Sequence, residues 1–234
     1  MTNVSNTVGS NSFDQTAGRM NSTLQPFPCG LYAITDAHLI PPGELSDRVA
    51  AAIRGGAAVI QYRDKSSDHN DRQQQATALA LLCREHGIPL IINDDVALAA
   101  AVGADGVHLG HSDGSVQDAR EKLGDKAIIG VSCYNAFERA VEAVSEGADY
   151  VAFGRFFPSQ SKPDAIAAAP ELLGRARQCL RVPVVAIGGI TPENGQPLIT
   201  AGAHLLAAIH GVFGQADTET AARRYARLFS SSVS

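Results

Sequence analysis

The run QYRDK places Gln61, Arg63 and Lys65 at alternate positions, one neutral donor and two cations. Alternate side chains of extended chain point the same way, so the three face one side of a strand end and together suit a diphosphate. A strand-end salt bridge through Asp64 is the simpler use of these cations. Burying three unpaired polar groups beside apolar strands is costly, however, unless a ligand partners them. The run IINDD ends another apolar stretch with Asn93, Asp94 and Asp95. Asp95 is the better helix cap, for a helix beginning near Val96, which leaves Asp94 for the site. A further carboxylate, Asp113, follows in HLGHSD. Oxygen ligands from two loops, with room left for water and phosphate oxygens, are what Mg²⁺ prefers. His108 and His111 lack a third nitrogen or sulfur ligand at zinc spacing. In FFPSQSKPDA the hydroxyls of Ser159 and Ser161 stand directly before Lys162, groups with which a loop can close over phosphate. AIGGITPEN pairs Gly188 with Gly189, letting backbone N–H groups approach an anion, and predicts a helix start at Thr191-Pro192 with Glu193 behind.

Elements that could position these groups are visible as short apolar runs: LYAIT (31–35), AVIQY (58–62), PLIIN (89–93), GVHL (106–109), AIIGV (127–131), YVAFG (150–154), PVVAI (183–187) and LLAAI (205–209). Between them lie stretches of helical period such as 45–54, 71–86 and 135–146, and Gly-Ala pairs recur just before strands. Eight alternating βα units predict either a (β/α)₈ TIM barrel or an open doubly wound sheet. The polar residues favour the barrel. Tyr32 and Asp36, Gln61 to Lys65, Asn93 and Asp94, His108 and Asp113, Ser132, Gly188-Gly189, and Ile209-His210 all fall at or just past strand C-termini. A barrel opens every such position onto one mouth, whereas an open sheet spreads them along an edge.

Composition bounds the partners. The chain has 234 residues and a net charge of −5 with its Lys and Arg scattered, so a nucleic-acid footprint is lacking. No run approaches the roughly 20 apolar residues that cross a bilayer, which predicts no membrane partner. Cys29, Cys83, Cys133 and Cys179 show no CxxC spacing and read as reduced, buried residues of a cytoplasmic protein. Residues 1–25 hold four Ser, four Asn and four Thr without an apolar pattern; they read as a disordered tail ahead of one catalytic domain over 26–234. Small phosphorylated molecules are the expected partners, and the oligomeric state stays open.

Taken together, GLYAITD, QYRDKS, PLIINDDVALA, GADGVHLG with Asp113, GVSCYN, GADYVAFGRFFPSQSKP and PVVAIGGITPEN resemble the thiamine-phosphate synthase family, in order, over about residues 30–214. The resemblance implies condensation of hydroxymethylpyrimidine diphosphate with hydroxyethylthiazole phosphate to thiamine phosphate and diphosphate. It implies the pyrimidine diphosphate on Gln61, Tyr62, Arg63, Asp64, Lys65, Asn93, Ser132 and Lys162, with Arg63, Lys65, Ser132 and Lys162 acting in catalysis. Asp94 and Asp113 would hold Mg²⁺. The thiazole phosphate would lie against Ser159, Gln160, Ser161, Gly189 and the backbone of Ile209 and His210. The family commonly carries Thr where this chain has Ser159 and Ser161, a change that keeps both hydroxyls. His210 stands where Ser is frequent. No protein nucleophile is needed, and Cys133 beside Ser132 is not read as one. A thiazole tautomerase, which lacks the acidic pair, and a non-catalytic barrel that binds a phosphorylated ligand are the competing readings.

Deleting residues 1–25 is expected to leave turnover and Tm nearly unchanged; a Tm lowered by several degrees in thermal melts would show that the segment packs on the barrel.

Overall fold

The computed structural model describes residues 27–65, 68–158 and 166–230. Eight parallel strands pair in chain order and close on themselves. They are β1 (Gly30–Ile34), β2 (Ala57–Tyr62), β3 (Leu90–Asn93), β4 (Gly106–Leu109), β5 (Ile128–Tyr134), β6 (Tyr150–Phe153), β7 (Val184–Ile187) and β8 (Leu205–Ala208). The helices are α1 (Leu45–Arg54), α2 (His69–His86), α3 (Val96–Val102), α4 (Val116–Leu123), α5 (Phe137–Ser145), α6 (Glu171–Cys179), α7 (Gln196–Ala201), α8 (His210–Phe213) and α9 (Thr218–Ser230). The expected TIM barrel is therefore the fold, and closure comes from β1 pairing with β8, Gly30 opposite Leu205 through Ala33 opposite Ala208.

Both faces of each strand are covered, which is why the strands are short, nearly continuous apolar runs. Inside the barrel Tyr32, Ile34, Val59, Ile91, Tyr150, Ala152, Val185, Leu205 and Ala207 pack together. The alternate residues, among them Leu31, Ala33, Ile60, Leu90, Ile92, Val107, Ile129 and Val151, pack against the helices. Side chains one position apart thus enter different layers. Helix ends follow their caps: Asp68 accepts from Asp71 N–H, Asp95 from Leu98 N–H as expected, and Ser115 from Asp118 N–H.

Some local details differ from the sequence reading. β5 continues past Ser132 to Tyr134 through a bulge in its pairing with β6, so Ser132 lies within the strand. α7 begins at Gln196 rather than at Thr191-Pro192, because the Asn194 side chain accepts the Thr191 N–H at 2.7 Å and folds 191–195 into a turn first. The cysteines are free, but only Cys83 and Cys133 are buried; Cys29 and Cys179 are exposed. Beyond the motifs, α9 packs on α1 and β1, and Arg48 of α1 donates to the carbonyls of Phe213, Gln215 and Ala216, tying the end of α8 to the helix layer. Among the described residues no helix is long and apolar enough to cross a membrane. Residues 1–25 lie outside the described residues.

At Gly106 of β4 a Cβ would fall 1.9 Å from the carbonyl oxygen of Ile128 on β5. Gly106→Ala is expected to lower stability by about 1–3 kcal/mol, read as a Tm several degrees below the parent; an unchanged Tm would contradict this approach of β4 and β5.

Candidate active site

The strand C-termini open into one cavity of about 380 Å³. Gln61, Arg63, Asn93, Ser132, Gly189, Ile209 and His210 all line it, so residues spread over 150 positions of sequence reach one volume. His210 itself is exposed at the rim.

On the β2–β3 side the cations are held by carboxylates. Arg63 Nη1 donates to Asp36 Oδ2 at 2.8 Å, and the Thr35 hydroxyl accepts from the Arg63 N–H and donates to the Arg63 carbonyl, at 2.9 and 3.3 Å. Lys65 Nζ reaches Asp94 Oδ2 at 3.0 Å. The expectation that these groups stand unpaired without a ligand is thus corrected: neighbouring strands supply their partners, and Asp64 is not the partner of either cation in these pairs. The Tyr62 side chain does not face the cavity. It is buried in the helix-side layer, its hydroxyl donating to Gln75 Oε1 at 3.0 Å with Asp64 Oδ2 3.4 Å away. Alternation explains this, since turning Gln61 and Arg63 inward sends Tyr62 outward.

Asp94 takes a left-handed backbone, φ 64°, with its N–H on the His108 carbonyl at 2.9 Å. Asp113 curls back to accept the Gly110 N–H at 2.7 Å. The two carboxyls are hydrogen-bonded to each other: burial and the Asp113 neighbour push the Asp94 carboxyl up, against the pull of Lys65. Burial alone would raise Asp113 as well, but its hydrogen bonds to Asp94, Gly110 and Ser112 hold it below the usual carboxylate range. Two neighbouring carboxyls that already draw in the Lys65 ammonium offer oxygen ligands to a divalent cation. Among the described residues no three His, Cys, Asp or Glu side chains converge on one point, so a metal here would take the remaining ligands from water or substrate. Such partial coordination suits Mg²⁺.

The cavity floor is polar where barrel interiors are usually branched and apolar. Gln61 Nε2 donates to the Tyr32 hydroxyl at 2.9 Å; Tyr32 and Tyr150 hydroxyls are 2.7 Å apart; Tyr150 meets His108 Nδ1 at 2.9 Å; and His108 Nε2 meets the Ser132 hydroxyl at 2.8 Å. Gln61, Tyr32, Tyr150 and His108 are all buried. Burial pushes both phenols far up, so they stay neutral donors. Both His108 ring nitrogens are engaged here, and His111 Nδ1 lies 2.8 Å from Arg139.

On the opposite wall the Gly188-Gly189 turn comes close to the chain after β6. A Cβ on Gly188 would fall 2.3 Å from Arg155 Cβ, and one on Gly189 2.2 Å from the Pro158 carbonyl oxygen. Both glycines also have positive φ, 103° and 62°. Asn194 Nδ2 donates to the Gly189 carbonyl at 3.0 Å, locking the turn. Sequence reasoning missed Tyr150, Arg155, Asn194 and Gln215. Arg155 and Gln215 line the cavity, and Gln215 Nε2 donates to the His210 carbonyl at 3.0 Å. Arg155 was the most legible of these, a cation directly after a strand. Ser159, Gln160, Ser161 and Lys162 lie outside the described residues. Cys133 is buried, which pushes its thiol up to about 12 and leaves it a poor nucleophile.

Residues 31–212 match the profile of the thiamine monophosphate synthase family. The thiamine-phosphate synthase of Nitrosococcus oceani is 54% identical over 202 residues, covering 86% of this chain and 93% of that one. The thiamine-phosphate synthase of Methylococcus capsulatus is 53% identical over 210 residues, with 89% and 93% covered. The solved thiamine phosphate pyrophosphorylase of Pyrococcus furiosus superposes with a TM-score of 0.80 at 33% identity, covering 88% of this chain and 98% of that structure. By sequence and fold, this chain belongs to the thiamine monophosphate synthase family.

Proposed function

We propose that this barrel joins hydroxymethylpyrimidine diphosphate to hydroxyethylthiazole phosphate, forming thiamine phosphate and releasing diphosphate, in the cytoplasm. The observation that carries the reading is the arrangement at the strand ends: Arg63 on the cavity wall with Lys65, Asp94 and Asp113 just past the ends of β2, β3 and β4, and a tight glycine turn on the opposite wall. The first suits a diphosphate with a divalent cation, the second a smaller phosphate met by backbone N–H groups.

The bond between the pyrimidine methylene and the diphosphate oxygen breaks with its electron pair going to oxygen. The thiazole nitrogen forms the new bond from its own lone pair, and no proton has to move. A site without an activated nucleophile is therefore sufficient. Asp94 and Asp113 are the residues that would hold Mg²⁺, which when bound neutralises charge on the diphosphate. Arg63, Lys65 and Lys162 stabilise the departing diphosphate, while Asn93 and Ser132 hold the pyrimidine. Lys65 serves both the acidic pair and the diphosphate, so it exchanges a carboxylate for phosphate oxygens when substrate enters. Ser159, Gln160, Ser161, Gly189 and the Ile209-His210 backbone receive the thiazole phosphate. The acidic pair favours this reaction over proton transfer in a tautomerase.

Incubated with both substrates and Mg²⁺, the protein is expected to release diphosphate and thiamine phosphate in equal amounts; no release would leave a binding-only barrel. Asp94→Asn and Asp113→Asn are each expected to raise the Mg²⁺ concentration for half-maximal activity with Tm preserved. If both variants keep the parent's Mg²⁺ dependence, these carboxylates are not the ligands.

A further inference from the structure

The charge on the cavity lining has one sign. Among the described residues that line it none is Asp or Glu, and the Lys and Arg among them are Arg63 and Arg155. Arg63 follows β2 and Arg155 follows β6, so in a closed ring of eight strands they rise from opposite sides of the mouth. Arg63 lies on the side given to the diphosphate, its Nη1 on Asp36 Oδ2 at 2.8 Å. Arg155 lies on the side of the glycine turn, where the groups assigned to the smaller phosphate are hydroxyls, an amide and backbone N–H groups, none with a full charge.

The root of the Arg155 side chain is fixed. Its carbonyl accepts the Ala168 N–H at 2.7 Å. The next two residues run along the end of β7, Phe156 N–H on the Ile187 carbonyl at 3.2 Å and Phe157 N–H on the Gly188 carbonyl at 3.0 Å. Glycine at 188 permits this approach, since a Cβ there would fall 2.3 Å from Arg155 Cβ and 2.6 Å from its Cα. Gly154 does the same one residue earlier, where a Cβ would fall 2.2 Å from the Ile187 carbonyl oxygen. The half-buried arginine therefore starts directly against the turn whose N–H groups suit a phosphate. The basic rings on the lining do not replace it: both nitrogens of His108 are engaged by Tyr150 and Ser132, and His210 is exposed at the rim.

We propose that Arg155 binds the phosphate of the thiazole substrate, so that each anion of the reaction has its own arginine. The proposal rests on the reaction assigned above. A phosphate monoester carries a charge of about −1.5 to −2 at pH 7, and backbone N–H groups set only partial charges against it. An arginine adds a full charge and a planar fork that meets two phosphate oxygens at once. Two arginines facing each other across the mouth also hold the two anions apart, so the charge of the first substrate opposes entry of the second less.

The test is steady-state kinetics of the full-length parent, Arg155→Ala, Arg155→Gln and Arg155→Lys with both substrates and Mg²⁺. Calorimetric titration with thiamine phosphate, and with thiamine as the same product lacking its phosphate, gives a readout free of turnover. Arg155→Ala and Arg155→Gln are expected to raise KM for the thiazole phosphate and Kd for thiamine phosphate by about 10- to 100-fold, the scale of one charge-assisted hydrogen bond. KM for the pyrimidine diphosphate, the Mg²⁺ dependence and the affinity for thiamine should stay at parent values. Arg155→Lys, which keeps the charge without the fork, should fall between parent and Arg155→Ala. Arg155→Gln keeps most of the stem and decides the matter if Arg155→Ala does not fold. A parent-like KM for the thiazole phosphate in Arg155→Gln, an equal rise in KM for both substrates, or equal weakening of thiamine and thiamine phosphate overturns the assignment of Arg155 while leaving the reaction standing. A parent that makes no thiamine phosphate overturns the reaction itself.

Discussion

Closure of the sheet is the constraint on which everything else rests. Because β1 pairs with β8, the eight strand ends form a ring instead of a line, and groups as far apart in sequence as Tyr32 and His210 border one cavity. Closure also buries both faces of every strand. The inner face has to be filled by side chains that pack in layers, and the polar ones among them have to find partners within the ring. Site and core are consequently one problem: the residues that fill the barrel beneath the cavity are those whose hydrogen bonds orient its floor.

Two kinds of polar order result. At the rim, charges pair between strands, Arg63 with Asp36 and Lys65 with Asp94, at 2.8 and 3.0 Å. Lys65 is 61% exposed, so its pair is worth little as stabilisation and can be exchanged for a ligand at small cost. At the floor, Gln61, Tyr32, Tyr150 and His108 are shut away from water, where each unmet hydrogen bond would cost about 1–3 kcal/mol. The floor is therefore rigid and the rim exchangeable. That is a suitable division for an enzyme that has to recognise a planar ring and release a diphosphate.

Much of this was legible in the sequence. Strands of a parallel barrel are short apolar runs bounded by turn residues, and they appear as such from LYAIT to LLAAI; the capping role of Asp95 and the mouth-facing positions of Gln61 and Arg63 follow from side-chain geometry alone. What the sequence hides is partnership across the ring. Arg63 is read most simply with its neighbour Asp64, yet its carboxylate is Asp36 from the preceding strand end. Tyr32 and Tyr150 are 118 residues apart, and no local pattern announces their hydrogen bond. Thr191-Pro192-Glu193 carries the marks of a helix start, but Asn194 takes the Thr191 N–H and delays the helix to Gln196. Tyr62 does follow from alternation, which sends it outward to the helix layer while Gln61 and Arg63 turn inward.

The central claim is that one cavity holds diphosphate against the β2–β3 rim and the smaller phosphate against the β7–β8 turn. The most direct measurement is a crystal structure of the protein soaked with thiamine phosphate, diphosphate and Mg²⁺. The account predicts diphosphate oxygens on Arg63 and Lys65, the metal on Asp94 and Asp113, and the thiamine phosphate group beside Gly189 and His210. Diphosphate bound away from Arg63 and Lys65, or both phosphate groups on one side of the cavity, would contradict it.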